Sequence, residues 1–352
     1  MSLMVDKMDD FISATINSFK RKNWVDLSLD KQHYIFFDKF LKGTKTRRPH
    51  QGGANIEWKL QVDKLDNAHW NELYAVDRTG VKDLLDTAKV PFAKASASWS
   101  YDLMEDSFNN SDKERIIREI DVRKNACYSD LAELMEDSLW SAPASSTQSP
   151  RQPYGIPFWI QKSATTPGGG FTGGDPSGFS DGAAGVKVSD VPNWSNWSFN
   201  YDTAGSRDDL VAKLRKAITH TKFKSPKPYN NLDKSGNTDW AFYTNYDVIA
   251  ELEKLLESRN DNLGADLAKY MGSVLVKGNP VIWVPALDSE TDDPIYGVNH
   301  QVLAWHFKTG YDFVEHKPIA APNQHLVRNV FIDTSGNFVC YNRRRLFVGY
   351  KA

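Results

Sequence analysis

Residues 111–140 constrain the fold more than any other stretch, because they contain no proline or glycine and predict one continuous helix. At its start, the Ser111 hydroxyl is placed to accept from the backbone N–H of Glu114, whose carboxylate reaches back to the Ser111 amide in a capping box. At about 1.5 Å per residue, the helix would be about 45 Å long, so a long sheet is needed beside it. The apolar stripe at helical spacing includes Ile116, Ile120, Cys127, Leu131 and Leu134.

Length and composition indicate a soluble protein with more than one lobe. A chain of 352 residues exceeds a common single core, so we expect at least two. The formal net charge of −2 gives no overall attraction to nucleic acid or membrane, so partners have to be recognised through local patches. Aromatic residues are abundant, with 11 Trp, 14 Tyr and 18 Phe, and they supply large contact areas in cores and at interfaces.

The two cysteines, Cys127 and Cys340, favour buried reduced thiols over a disulfide framework, which suggests a cytosolic compartment. No run approaches the 18 apolar residues typical of a membrane helix. Asp6, Asp9 and Asp10 lie where a signal peptide has its basic and apolar regions. We therefore expect neither secretion nor membrane insertion.

Two strand-like runs precede the long helix. Apolar and polar residues alternate strictly over 56–63 and again over 93–101, as in half-exposed strands. Together they predict a long two-stranded excursion, which is marginally stable alone and for which the chain reserves no obvious cover. A neighbouring subunit is the natural cover. An amphipathic helix over 8–19 likewise has to dock elsewhere, as an arm.

The remainder predicts a mixed α/β body. Residues 163–206 are rich in Gly, Ser, Asp and Asn and predict a long loop, and residues 207–220 and 246–258 predict helices. From residue 273 onwards the pattern is mostly β. Its last two strands, 326–333 and 338–348, are joined by a predicted turn at Thr334-Ser335-Gly336-Asn337.

A search for catalytic or cofactor motifs is negative. Residues 168–173 match G-x-G-x-x-G, but the flanking prolines replace the helix that a dinucleotide site requires, so a flexible loop is favoured. His300 and His306 are too far apart for a metal pair and are favoured as core or surface residues. The carboxylates within 288–293 lack the EF-hand pattern and favour a solvated loop over a calcium site. We expect no catalytic residues, no cofactor and no metal.

Arg343, Arg344 and Arg345 form the densest basic cluster of the sequence. Alternate residues of a strand point to opposite faces, so one of the three would face a partner such as an acidic protein surface or phosphate. Solvated charges at a sheet edge are the equally weighted alternative.

The order of these parts resembles the Hong Kong 97 fold of tailed-phage major capsid proteins, an α+β fold with a long spine helix. Tyr154-Gly155-Ile156-Pro157, Gly278-Asn279-Pro280-Val281 and the terminal strands fit that resemblance. It covers the whole chain and implies five parts. These are an N-terminal arm (1–45), an extended β-hairpin loop with flanking peripheral strands (46–101), a peripheral domain (102–157) with spine helix 111–140, an axial domain (158–305), and return strands of the peripheral domain (306–352).

The resemblance implies a non-enzymatic protein that assembles as pentamers and hexamers into an icosahedral shell enclosing double-stranded DNA. The sequence has no long charged helical extension before the arm, so we expect a separate scaffolding protein. A portal protein and decoration proteins are further expected partners, with the virion capsid as location and the host bacterial cytoplasm as the place of assembly. Expected subunit-interface residues are Arg47, Arg48, Trp58, Trp70, Tyr74 and Arg344.

Two alternatives remain open. An encapsulin-like cargo shell has the same fold and differs in its contents. A glycan-active enzyme would make use of the tryptophans. Such an enzyme should stay monomeric and carry a carboxylate with a raised pKa in a pocket.

Overall fold

The computed structural model describes residues 34–42, 46–73, 80–104, 113–165, 168–204, 206–222, 239–257 and 274–351. The predicted helix over 8–19, the Ser111 cap and Tyr74 lie outside the described residues.

The described chain is mixed α/β. The helices are α1 Lys113–Leu139, α2 Ile156–Trp159, α3 Ala212–Thr221 and α4 Tyr246–Glu257, with π-helical turns at Phe36–Leu41 and Arg207–Val211 and 3-10 turns at Pro192–Trp194, Pro285–Leu287 and Arg343–Arg345. The strands are β1 Arg47–His50, β2 Asn55–Gln61, β3 Leu85–Pro91, β4 Ala93–Asp102, β5 Trp197–Tyr201, β6 Trp240–Thr244, β7 Leu275–Val276, β8 Asn279–Trp283, β9 Ile295–Asn299, β10 Leu303–Lys308, β11 Val314–Glu315, β12 Ile319–Ala321, β13 Gln324–Cys340 and β14 Phe347–Lys351.

The long helix α1 is continuous, as predicted, and packs on the first sheet. Cys127 and Leu131 are buried together with Ile332 of β13, and the alanines of β4 lie against the same cluster. Leu134, predicted to lie in the buried stripe, is instead half exposed. The sheet contacts the stripe that continues from Leu131 to Met135, and Leu134 lies at its border. Both cysteines are free and buried, as predicted.

The first sheet has the order β1-β10-β13-β11, and β4 and β12 also pair with β13. The expected two-stranded excursion is wrong in its second strand. β2 pairs with β3, which lies between the two alternating runs, whereas β4 pairs with β13 from Ala93–Gly336 to Asp102–Val327. The apolar face of β4 is needed under α1, so β4 belongs to the sheet that covers this helix.

The predicted turn at Thr334–Asn337 is also wrong, because β13 runs straight through it. Its small residues permit close packing between β4 and β10. A Cβ on Gly336 would lie 2.4 Å from Cζ2 of Trp305. The Asn337 side chain accepts from Tyr154 N at 2.7 Å and donates to Pro91 O at 2.8 Å. In this central strand, Gly336 therefore leaves room for Trp305, and Asn337 forms hydrogen bonds to two other segments of the chain.

The second sheet has the order β5-β14-β9-β6-β8-β7. The two predicted helices are confirmed as α3 and α4, and they bury Leu214 and Leu252 together with Phe199, Phe242 and Phe347 of the sheet. β5 lies in a region predicted as loop, whereas β9 lies in the part predicted to be mostly β. The final strand β14 pairs with β5 and β9 in this second sheet.

Candidate subunit interface

The β2–β3 hairpin divides into a buried base and an exposed end. Ile56, Trp58, Ala88 and Val90 are buried in the main core of the same chain. The Trp58 ring lies 6.4 Å from that of Trp159 by ring centroids. Burial at the base fixes the hairpin to the body of its own subunit and removes Trp58 from the exposed candidates for a subunit contact.

The distal part of the hairpin exposes large apolar side chains. Trp70 and Val81 have relative exposures of 102% and 101%, and Leu73 has 88%. Leu65 and Leu85 are also exposed. An isolated exposed apolar residue is ordinary, but a projecting segment with several of them is typical of a protein contact surface. Of the predicted anchors, the structure leaves Trp70 available for such a contact.

The predicted interface arginines of β1 already have partners in their own chain. Arg47 forms an ion pair with Asp312 and lies 5.2 Å above the Phe307 ring. Arg48 Nη1 donates to the Tyr341 hydroxyl at 3.0 Å, and its guanidinium lies 4.8 Å from that ring. These contacts hold β1 and β10 to neighbouring parts of the subunit and keep both arginines half-buried.

The arginine cluster forms a 3-10 turn, so the expected alternation along a strand is wrong. Arg343 and Arg345 are fully buried. Arg343 donates from Nε to Trp159 O and from Nη2 to Gly174 O, both at 2.8 Å, and burial lowers its pKa to about 10. Sequence reasoning missed this connecting role, because a run of three arginines is more typical of a surface.

Arg344 is the half-buried member of the cluster. Its guanidinium lies 4.4 Å from the Phe171 ring, and Nη1 donates to the Asn193 side chain. The structure does not bring the five described interface candidates into one surface patch. Trp70 lies on the hairpin, Arg47 and Arg48 on β1, and Arg344 before β14, while Trp58 lies in the core and Tyr74 outside the described residues.

Two buried histidines each contact a tyrosine hydroxyl inside the subunit. His300 Nε2 lies 2.8 Å from the Tyr243 hydroxyl, and His306 Nε2 lies 2.5 Å from that of Tyr341. Burial lowers the pKa of each histidine to about 3, with smaller contributions from Lys39 at His300 and from Arg48 and His50 at His306. Both imidazoles are therefore neutral at physiological pH.

The acidic loop before β9 is bound to a lysine of its own chain. Lys162 Nζ lies 2.9 Å from Asp292 and also pairs with Glu290, while Asp288 accepts from Trp283 Nε1 at 2.9 Å. Across the described ranges, no group of three or more His, Cys, Asp or Glu side chains is placed to hold a metal ion. In the same ranges, no helix is both long and apolar enough to span a bilayer.

Solved structures with a similar fold come from capsids. The capsid of cyanophage A-1(L) has a TM-score of 0.56 at 13% identity, covering 96% of this chain and 98% of that chain. The capsid of an empty GTA particle has a TM-score of 0.56 at 11% identity, covering 94% and 100%. The mature capsid of bacteriophage PhiM1 has a TM-score of 0.52 at 11% identity, covering 95% and 91%.

No protein-family model and no curated protein matches the sequence. The structural likeness spans nearly the whole chain, so this chain has the Hong Kong 97-like α+β fold of tailed-phage capsid proteins, as predicted.

Proposed function

We propose that this chain is a major capsid protein that assembles into a closed icosahedral shell. The observation that carries the proposal is the hairpin end, where Trp70, Leu73 and Val81 project from a capsid fold with almost their whole surface exposed. Burying such side chains contributes about 1.5–3 kcal/mol each, and aromatic anchors dominate the binding energy of protein interfaces. A second copy of the chain is the partner that this fold suggests.

The parts of the subunit have proposed places in such a shell. We propose the bounds expected from the sequence for the arm (1–45), the hairpin region (46–101), the peripheral domain with α1 (102–157) and the axial domain (158–305). The return strands (306–352) begin within β10, continue through β13 in the first sheet and end as β14 in the second sheet. Copies of the second sheet would surround the axes of pentamers and hexamers.

Further partners belong to the same proposal. The shell would enclose phage double-stranded DNA on its inner face, connect to a portal protein, and form with a separate scaffolding protein in the host bacterial cytoplasm. Decoration proteins would bind outside. The role is structural and non-enzymatic, with no cofactor.

The test is assembly of the purified chain, with and without a candidate scaffold, followed by light scattering and negative-stain electron microscopy. We expect closed shells, rings of five or six, or tubes. Trp70→Ala combined with Leu73→Ala should abolish these assemblies while the subunit stays folded by circular dichroism. Tyr311→Ala removes an exposed aromatic from the turn after β10 and serves as the matched control. A compact monomer under all conditions would overturn the proposal.

A further inference from the structure

The long helix α1 carries its charges in an order that its own dipole does not favour. By sequence, residues 113–124 contain five basic and three acidic residues, whereas residues 125–139 contain four acidic residues and no basic residue. A helix dipole favours acidic side chains near the amino-terminal end and basic side chains near the carboxy-terminal end. The charge order of α1 therefore suits a partner of the opposite order better than it suits the helix itself.

One side of α1 is exposed over several turns. Val122, Ala126, Asp130 and Leu134 are all exposed and recur every four residues, so they form one stripe, which we call the α1 stripe. Val122 is 41% exposed and Leu134 is 50% exposed, so the stripe presents apolar surface as well as charge. At about 100° per residue, its midpoint lies about 120° around the helix from Leu131, which packs on the first sheet. The α1 stripe therefore faces away from that sheet.

Ala126 is the smallest residue of the α1 stripe. Val122 and Asp130 lie one turn to either side of it. Packed helices have axes about 8–10 Å apart, and the side chains at the contact decide the distance. A small residue at this position permits a second helix to cross α1 closely at Ala126.

Two opposite charges lie on either side of this position. Arg123 and Asp130 are about 10 Å apart along the helix. Arg123 Nη1 donates to Ser100 O at 3.3 Å, and because a guanidinium has five N–H donors, it can also bind a carboxylate. Asp130 is exposed and borders the same groove beside β4 as Arg123. An antiparallel copy of α1 that crosses at Ala126 brings its Asp130 next to Arg123 and its Arg123 next to Asp130.

Such a contact uses the same surface on both copies, as in an isologous interface with two-fold symmetry. It forms the same ion pair twice, once on each side of the axis. The overall charge order agrees, because the basic half of each helix runs beside the acidic half of the other. Val122 lies one turn from the crossing, so the pairing also covers apolar surface.

We propose that α1 packs against α1 of a second copy as an antiparallel pair, with a two-fold axis beside Ala126 and with Arg123 bound to Asp130 of the other copy. The inference rests on the proposed self-assembly and names a contact within it that is separate from the hairpin end. A contact between two helices belongs to the small, weak class of specific interfaces. It is therefore measured both in the free chain at high concentration and in assembled particles.

A disulfide at the crossing tests the pairing. Ala126→Cys should give a disulfide-linked dimer under mild oxidation, because a disulfide requires Cα atoms within about 7 Å and the crossing brings the two Ala126 residues together. Val122→Cys and Leu134→Cys lie on the same stripe, but the two copies of each would be about 12 Å or more apart along the antiparallel helices. They should form at least roughly tenfold less dimer. The wild type gives the background, since both native cysteines are buried.

Two results would overturn the proposal. One is a Leu134→Cys dimer that forms as fast as the Ala126→Cys dimer, because an antiparallel pair crossing at Ala126 keeps the two Leu134 residues apart. The other is the lack of an Ala126→Cys dimer both in the free chain and in particles.

Charge exchange shows whether Arg123 and Asp130 join two chains. In the Ala126→Cys background, Arg123→Glu alone or Asp130→Arg alone should reduce the dimer roughly tenfold, because each brings like charges together. An equimolar mixture of the two variants should restore it, and isotope labelling of one chain identifies the mixed dimer by mass spectrometry. Lys94→Glu makes the same change of charge at an exposed position of β4 and serves as the control. Equal dimer yields from Arg123→Glu and from this control would contradict the assigned ion pair.

Dimer formation and shell formation are scored separately. Disulfide-linked Ala126→Cys dimers in a preparation that forms no shells would support the helix contact and count against the proposed shell. Shells whose Ala126→Cys subunits form no disulfide would overturn the helix contact alone.

Discussion

Glu136 and Phe36 are joined by a buried hydrogen bond, in which the backbone N–H of Phe36 donates to Glu136 Oε2 at 2.8 Å. The other carboxylate oxygen accepts from Trp140 Nε1, also at 2.8 Å. One buried side chain thus fixes the turn Phe36–Leu41 to the end of α1, although the two residues are a hundred positions apart in sequence. Phe36 in turn packs edge-on against Trp305 of β10.

Removal of this carboxylate should destabilise the subunit. Glu136→Ala leaves two buried N–H groups without an acceptor, each at a cost of about 1–3 kcal/mol, so we expect a loss of about 3 kcal/mol in the free energy of unfolding. Glu136→Gln keeps one acceptor and should lose less. Urea denaturation measures both, with exposed Asp130→Ala on the same helix as the control. Equal midpoints for Glu136→Ala and the control would contradict the assigned role.

The two tryptophans of the hairpin should respond in opposite ways. Trp58→Ala creates a cavity beside Trp159 and should cost the unassembled subunit about 3–5 kcal/mol. Trp70→Ala removes a fully exposed ring, so its unfolding free energy should stay within about 0.5 kcal/mol of the wild type. Thermal and urea unfolding of the unassembled chain provide the comparison. A loss of stability in Trp70→Ala as large as in Trp58→Ala would mean that the hairpin end packs on its own subunit.

The sequence predicted those elements whose pattern is local. The period of α1, the helices α3 and α4 and the alternation within β2 and β4 follow from the spacing of apolar residues, and each is found. The order of these elements also suggested the fold. None of this depends on which segments meet in space.

The wrong predictions concern which segments of the chain pack against each other, and this is decided by contacts between residues distant in sequence. Local turn propensity at Thr334–Asn337 is overridden because β13 is held between β4 and β10, and Gly336 is required where Trp305 approaches. The same limit applies to Arg343, whose acceptors Trp159 O and Gly174 O are distant in sequence. For the candidate interface, the family resemblance suggested Trp58 and Trp70 alike as anchors, and no local signal distinguishes the exposed Trp70 from the buried Trp58.

Acid should destabilise the subunit through its buried histidines. His300 and His306 have an ordinary pKa of 6.5 when unfolded and a pKa of about 3 when folded, so below pH 6.5 the unfolded chain takes up protons that the folded chain does not. Stability is therefore complete above pH 6.5 and falls as the pH falls towards 3. At pH 5 each histidine should cost about 2 kcal/mol.

The measurement is the difference in unfolding free energy between pH 7 and pH 5. His306→Gln should reduce this difference by about 2 kcal/mol, because glutamine does not titrate. His325→Gln alters an exposed histidine and should leave the difference at its wild-type value. An unchanged difference in His306→Gln would show that the protein binds this proton equally well in both states.

Substitution by lysine should lower the free energy of unfolding much more at Arg343 than at the adjacent Arg344. Arg343 spans two carbonyl oxygens from a fully buried position, and a lysine ammonium lacks the planar fork that reaches both. Because a buried charge with incomplete partners is strongly unfavourable, Arg343→Lys should lower the unfolding free energy by about 3 kcal/mol.

Arg344 offers the matched comparison, because it is one residue away and stacks on Phe171 from a half-buried position. Arg344→Lys should cost about 1 kcal/mol or less, the usual size of a partly exposed cation–π contact. Urea midpoints of the two variants decide between a connecting and a surface role for the cluster. If both lysine variants unfold at the wild-type midpoint, the two bonds from Arg343 contribute no net stability.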